Sequence, residues 1–149
     1  QHLRIVGFAL NTALVISNAH AVSAAYYKSV PYDPVKDFQF VSFIGTAGLI
    51  MVTHPDAPAK TVAEVIAAAK ANPGKLNFGN AGVGTTQHFS AELFGQLAGI
   101  QVKHIPTLDA GGIAALRSKE IDYLFELVQT VRGQISAGDL KSVGVTSPQ

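Results

Sequence analysis

Leu76-Asn77-Phe78-Gly79-Asn80-Ala81-Gly82-Val83-Gly84-Thr85-Thr86-Gln87-His88-Phe89 is the stretch on which the fold turns. Its first three residues have the composition of a short strand. A glycine-rich segment follows and runs directly into residues with helical spacing: Phe89, Leu93, Phe94 and Leu97. Gly99 is placed to end that helix. Just before this stretch, Thr61 with Glu64 three residues on predicts a capping box, and Val62, Val65, Ile66 and Ala69 recur on one helical face. Asn72-Pro73-Gly74 stops that helix. Beyond it, Val102–Ile105 predicts a strand, and Asp109 can N-cap a helix over Ala110–Lys119. Ile121–Phe125 predicts a strand, Val128–Ala137 a helix, and Leu140–Val145 a last strand.

On the N-terminal side, Leu14–Ile16 is a short apolar run ending in the polar turn Ser17-Asn18. Ala21–Lys28 has a helical pattern that Pro31 and Pro34 stop. Phe40–Ile44 and Leu49–Thr53 are two β-rich runs separated by Gly45 and Gly48. Strands alternating with helices call for an α/β fold whose mostly parallel sheet is flanked by helices.

The 149 residues suffice for one compact domain or two small lobes. With 48% hydrophobic and 14% charged residues the chain can build a core, which excludes intrinsic disorder. Eleven Lys+Arg against ten Asp+Glu leave a net charge of +1 and no basic run, so binding to nucleic acid through phosphate neutralisation is not expected. Without cysteine there is no disulfide framework, thiol catalysis or Cys-based zinc site. No apolar run approaches the roughly 18 residues of a membrane span.

The glycine segment is also where chemistry could sit. The first N–H groups of a helix lack internal partners and lie at the positive end of its dipole. Thr85 and Thr86 add hydroxyls, and such a site suits a carboxylate, phosphate or sulfate. The segment lacks the Gly-Lys-Ser/Thr of a nucleotide P-loop and the spacing of a dinucleotide fingerprint. The plainer alternative is that a threonine merely caps the helix while the glycines turn the chain. His2, His20, His54, His88 and His104 show no metal-ligand spacing, and no cofactor is called for. His20 and His88 could reach a shared cleft, against the more ordinary reading of exposed or hydrogen-bonded histidines. Gly-x-Ser-x-Gly is absent and the carboxylates are scattered, so an enzyme is not expected. Asp37 and Asp122 have the simplest reading as turn or surface residues, and Phe89, Phe94 and Leu97 as core.

Several segments together resemble one family. They are Val30-Pro31-Tyr32-Asp33-Pro34-Val35-Lys36-Asp37-Phe38, Pro58-Ala59-Lys60-Thr61-Val62 and Pro73-Gly74-Lys75-Leu76-Asn77-Phe78-Gly79-Asn80-Ala81-Gly82. Ser17-Asn18-Ala19-His20-Ala21 and Ile135-Ser136-Ala137-Gly138-Asp139-Leu140-Lys141 join them in order. The chain resembles the extracytoplasmic solute-binding receptors of tripartite tricarboxylate transporters, the Bug receptors. The resemblance implies a lobe of the periplasmic-binding-protein type II kind with a partial second lobe: residues 1–40 a remnant of the first lobe, 41–127 the second lobe, and 128–149 a return crossover. It also implies periplasmic location, a leader absent from this chain, and a start well inside the first lobe.

By the same resemblance, a small carboxylate-bearing solute would meet Asn80, Gly82, Val83, Gly84, Thr85 and Thr86, with His88 behind them and Ser17, Asn18 and His20 from the first lobe. Its partners would be that solute and the membrane subunits of the transporter. The chain departs from the family at Pro106-Thr107-Leu108-Asp109-Ala110-Gly111-Gly112, where an aromatic and a cation are usual. Asp109 puts a negative charge beside the cleft, which favours a zwitterion whose amine faces Asp109 or Glu126. The alternative is a truncated, non-binding fragment that acts as an interaction module, pairing as a homodimer through its incomplete lobe.

Overall fold

The computed structural model describes residues 16, 20, 22, 25–107 and 111–147. Of the sequence-derived expectations, most of the Leu14–Ile16 strand, Ser17, Asn18 and the Asp109 cap lie outside the described residues. The elements are β1 (Leu49–Thr53), α1 (Val62–Ala71), β2 (Asn77–Asn80), α2 (Thr86–Ala98), β3 (Lys103–Pro106), α3 (Gly111–Arg117), β4 (Tyr123–Leu127), α4 (Val128–Ser136) and β5 (Lys141–Val145). No helix among the described residues is long and apolar enough to cross a membrane.

The strands form one sheet in the order β3-β2-β4-β1-β5. β2 runs parallel to β3 and β4, whereas β1 runs antiparallel to β4 and β5. Four strands therefore point one way and β1 alone is reversed, so the mostly parallel expectation holds with a mixed sheet as the outcome. β1 is buried along its whole length. A strand covered on both faces reads as a near-continuous apolar run, as Leu49-Ile50-Met51-Val52 does, and the buried Thr53 that ends it donates its hydroxyl to Asp122 O.

The period-2 alternation then splits the core in two. Leu49, Met51, Phe78, Tyr123 and Phe125 pack with Val65 of α1 and Ala91 of α2 on one face. Ile50, Val52 and Leu124 pack with Ala115 and Leu116 of α3 and Val131 of α4 on the other. The result is a three-layer α/β/α unit.

The local signals held where they rest on short-range chemistry. Thr61 accepts from the Glu64 N–H, and Glu64 accepts from the Thr61 N–H, closing the capping box. Thr61→Ala is expected to lower stability by about 1 kcal/mol. Thermal melting of the variant beside its parent checks this, and an unchanged midpoint would mean that the box adds nothing. Gly99 ends α2 in the left-handed conformation, with φ 64°. Within the Ala21–Lys28 run, Ala25 and Tyr26 are helical and the chain bends at Tyr27 and Lys28.

Two expectations are corrected. Phe40–Ile44 is not a strand: it has no ladder partner among the described residues, and Phe40, Val41, Phe43 and Ile44 are 62–94% exposed. β propensity becomes a strand only where a neighbouring strand takes up the hydrogen bonds. Leu97 is not core: it is 79% exposed, on the solvent side of α2. Strand β4 also starts later than Ile121. The Ile121 and Glu120 N–H groups bond back to Ala115 at the end of α3, so the strand begins only after Asp122.

Candidate functional site

Parallel β2, β3 and β4 end along one edge of the sheet, at Asn80, Pro106 and Leu127. In open α/β sheets this carboxyl edge is where ligands bind. The glycine segment leaves β2 at that edge, and Glu126 lies on β4 beside it.

Asn80 anchors the segment. It is almost completely buried, and its Oδ1 accepts from the Gly82 N–H at 3.0 Å. The chain then passes through Gly82 (φ 125°) and Gly84 (φ 90°), both in a region that side-chain-bearing residues rarely adopt. Thr85 is the N-cap of α2. Its hydroxyl donates to Gly82 O at 2.7 Å and accepts from the His88 N–H at 3.4 Å. The threonine-as-cap reading is thus realised at Thr85, and its hydroxyl proton is already engaged. The amides of Val83, Gly84 and Gln87 make no hydrogen bond among the described residues. Together with the α2 dipole they are the donors an anion would meet.

The remaining expected residues fall as follows. Val83 is 55% exposed at the tip of the loop. Thr86 opens α2. Glu126 Oε1 accepts from the Leu127 N–H at 2.8 Å, at the end of β4. His20 makes its contacts away from α2: its Nε2 is 2.9 Å from Pro34 O, and its ring packs on Tyr32 and, edge-on, on Phe38. Asp37 is exposed and accepts from the Asp33 N–H, in a turn as expected. Asp122, by contrast, is a fastener rather than a surface residue. Its carboxylate accepts from the Asn77 N–H and its carbonyl from the Thr53 hydroxyl, tying β2 and β1 to the start of β4.

Four side chains near this edge were not anticipated as partners: His104, Glu92, Tyr27 and Tyr26. His88 packs against His104 of β3, with ring centroids 4.6 Å apart, and both approach Glu92. Burial, and secondarily His104, pushes the His88 imidazole below its ordinary pKa, while Glu92 pulls the other way. Tyr27 comes over the loop, with its hydroxyl about 4 Å from where a Gly84 Cβ would stand. Tyr26 packs edge-on against Phe89. His88 and Glu92 have a helical i, i+4 spacing that the sequence displays. Nothing local announces His104 or Tyr27, which arrive from other elements.

Comparison with known proteins gives a consistent result. Residues 8–149 match the family model described as "Tripartite tricarboxylate transporter family receptor". A UPF0065 protein of Bordetella pertussis is 36% identical over 136 residues, covering 90% of this chain and 42% of that protein. An R. palustris protein solved with adipate superposes with a TM-score of 0.76 at 25% identity, covering 89% of this chain and 44% of that one. The periplasmic binding protein BugD has the same fold, with a TM-score of 0.78 at 23% identity, over 88% of this chain and 44% of that one. The chain spans less than half the length of these relatives.

Proposed function

Because this chain belongs to the receptor family of tripartite tricarboxylate transporters, we propose that it is the solute-contacting part of a periplasmic binding receptor for a small carboxylate. The family match over residues 8–149 carries this reading. It is supported by a glycine loop and helix N-terminus at the carboxyl edge of the sheet, and by the R. palustris neighbour solved with adipate.

In this reading the solute carboxylate lies against the Val83, Gly84 and Gln87 amides, with Asn80 holding the loop and Tyr27 closing over it. The hydroxyl of Thr85 acts through the cap and not on the solute. Glu126 at the same edge favours a solute that also carries an amine. Residues 1–40 are then the remnant of a first lobe, 41–127 the second, and 128–149 the crossover that returns toward the first after adding β5 to the sheet. Function is binding and release without turnover, with lobe closure presenting a surface to the membrane subunits.

The test is a thermal-shift screen against di- and tricarboxylates, acidic amino acids, aromatic carboxylates and phosphate. A bound carboxylate at 100 times its Kd is expected to stabilise the chain by about 2.7 kcal/mol, with the shift growing as concentration rises. A folded chain that shows no shift with any of them would sink the proposal. The exposed Phe40–Ile44 run favours a second reading, an interaction module that pairs with another copy. Light scattering separates the two, since that reading requires a concentration-dependent dimer and no ligand response.

A further inference from the structure

His88 and Glu92, one turn apart on α2, converge with His104 on β3. One donor atom from each lies within 4.8 Å of the others. Glu92 Oε1 is 2.8 Å from His104 Nε2 and 4.0 Å from His88 Nε2. The short approach to His104 does not make a hydrogen bond, because the oxygen lies off the direction of a ring N–H. His104 Nε2 and His88 Nδ1 are both buried without a hydrogen-bond partner. A buried polar atom left in that state costs free energy, and an ion bound at His104 Nε2 would relieve it there.

We propose that His88, Glu92 and His104 form a site for a divalent transition metal, with Zn2+ the ion the donor set suits best. Two imidazoles and one carboxylate are a set that zinc accepts in open sites, where water or another ligand fills the fourth position. Ca2+ and Mg2+ prefer all-oxygen surroundings and fit this set poorly. Bonds of about 2.0–2.2 Å place donors around a tetrahedral ion roughly 3.4 Å apart. Reaching that value lengthens the Glu92–His104 approach and shortens the Glu92–His88 one, and Glu92, whose side chain is 56% exposed, is the least constrained of the three.

The neighbouring amide sets a condition. Asn80 Oδ1 is held by the Gly82 N–H, so its Nδ2 faces His104 Nδ1 at 3.4 Å. In the metal-free chain this contact favours a proton on Nε2. An ion on Nε2 moves that proton to Nδ1 and gives up a long contact with the amide. The glycine loop and the metal site therefore share Asn80, although the site itself involves no carboxylate solute.

The experiment is calorimetric titration of the chelator-treated chain with ZnCl2, in buffer free of phosphate and carboxylates, with MgCl2 in parallel. Co2+ replaces Zn2+ for visible absorption spectra. Binding of one Zn2+ per chain is expected, with the intense visible bands of low-coordinate Co2+ and no Mg2+ response. Glu92→Gln and His104→Ala should each weaken Zn2+ more than about tenfold, the scale on which even an outer-sphere partner acts. Glu92→Gln changes a half-exposed side chain and keeps the fold, so the test does not depend on the His104 variant surviving. Absence of Zn2+ binding, or binding that Glu92→Gln leaves unchanged, would overturn the proposal.

Discussion

Phe78→Ala is expected to lower the unfolding free energy by about 3–5 kcal/mol. Phe78 is fully buried in β2, one of the sheet's inner strands, on the face that α1 and α2 cover. Its ring packs with Phe94 of α2 and with Tyr123 and Phe125 of β4, at centroid distances of 6.1, 5.3 and 6.3 Å. Alanine removes the atom set that joins these three rings. The backbone of β2 is hydrogen-bonded on both sides, so it cannot move in to fill the void. Domains of this size are commonly stable by about 5–15 kcal/mol, so the loss would consume a large share. Urea unfolding followed by circular dichroism gives the number. Leu97→Ala, at an exposed position of the neighbouring helix, should fall within about 0.5 kcal/mol of the parent. A loss below about 1 kcal/mol at Phe78, or equal losses at both positions, would contradict the core assignment.

Gly84→Val is the second large effect, and it acts on binding. Gly84 has φ 90°, where a β-branched residue is strained by about 1–3 kcal/mol. Valine can escape that strain only by rearranging the turn that aims the Val83 and Gly84 amides. With tenfold in Kd per 1.4 kcal/mol, the carboxylate affinity found by the screen should fall by about 5- to 150-fold. Calorimetry with that carboxylate measures it, while circular dichroism shows that the sheet persists. Unchanged affinity in a folded variant would mean that the solute binds elsewhere.

Much of this architecture was legible locally. Thr61 and Glu64 satisfy each other's backbone within four residues, so their box forms wherever that helix starts. Thr85 and Gly99 bracket α2 for the same reason. The continuous apolar run of β1 announces a strand buried on both faces. The glycine segment was legible as a turn between strand and helix, and as a place where an anion could approach.

Other features depended on partners far along the chain. Phe40–Ile44 has the composition of a strand, yet composition says nothing about whether a neighbour supplies hydrogen bonds. Leu97 keeps the helical spacing of a core residue while facing water, because the core stripe of α2 is anchored on Ala91 and Gly95. Asp122 looks like a turn residue until β2 brings the Asn77 N–H against it. The meeting of His88 and Glu92 with His104 required β3 to lie beside β2.

The amino-acid sequence by itself determined the alternation of strands and helices, their caps and the glycine turn, since each follows from hydrogen bonds and sterics among residues a few positions apart. Only the tertiary structure decided the reversal of β1, the exposure of Phe40–Ile44 and the pairing of His88 with His104. Those outcomes depend on which surfaces are brought together by burial of apolar area, and that driving force has no direction along the chain.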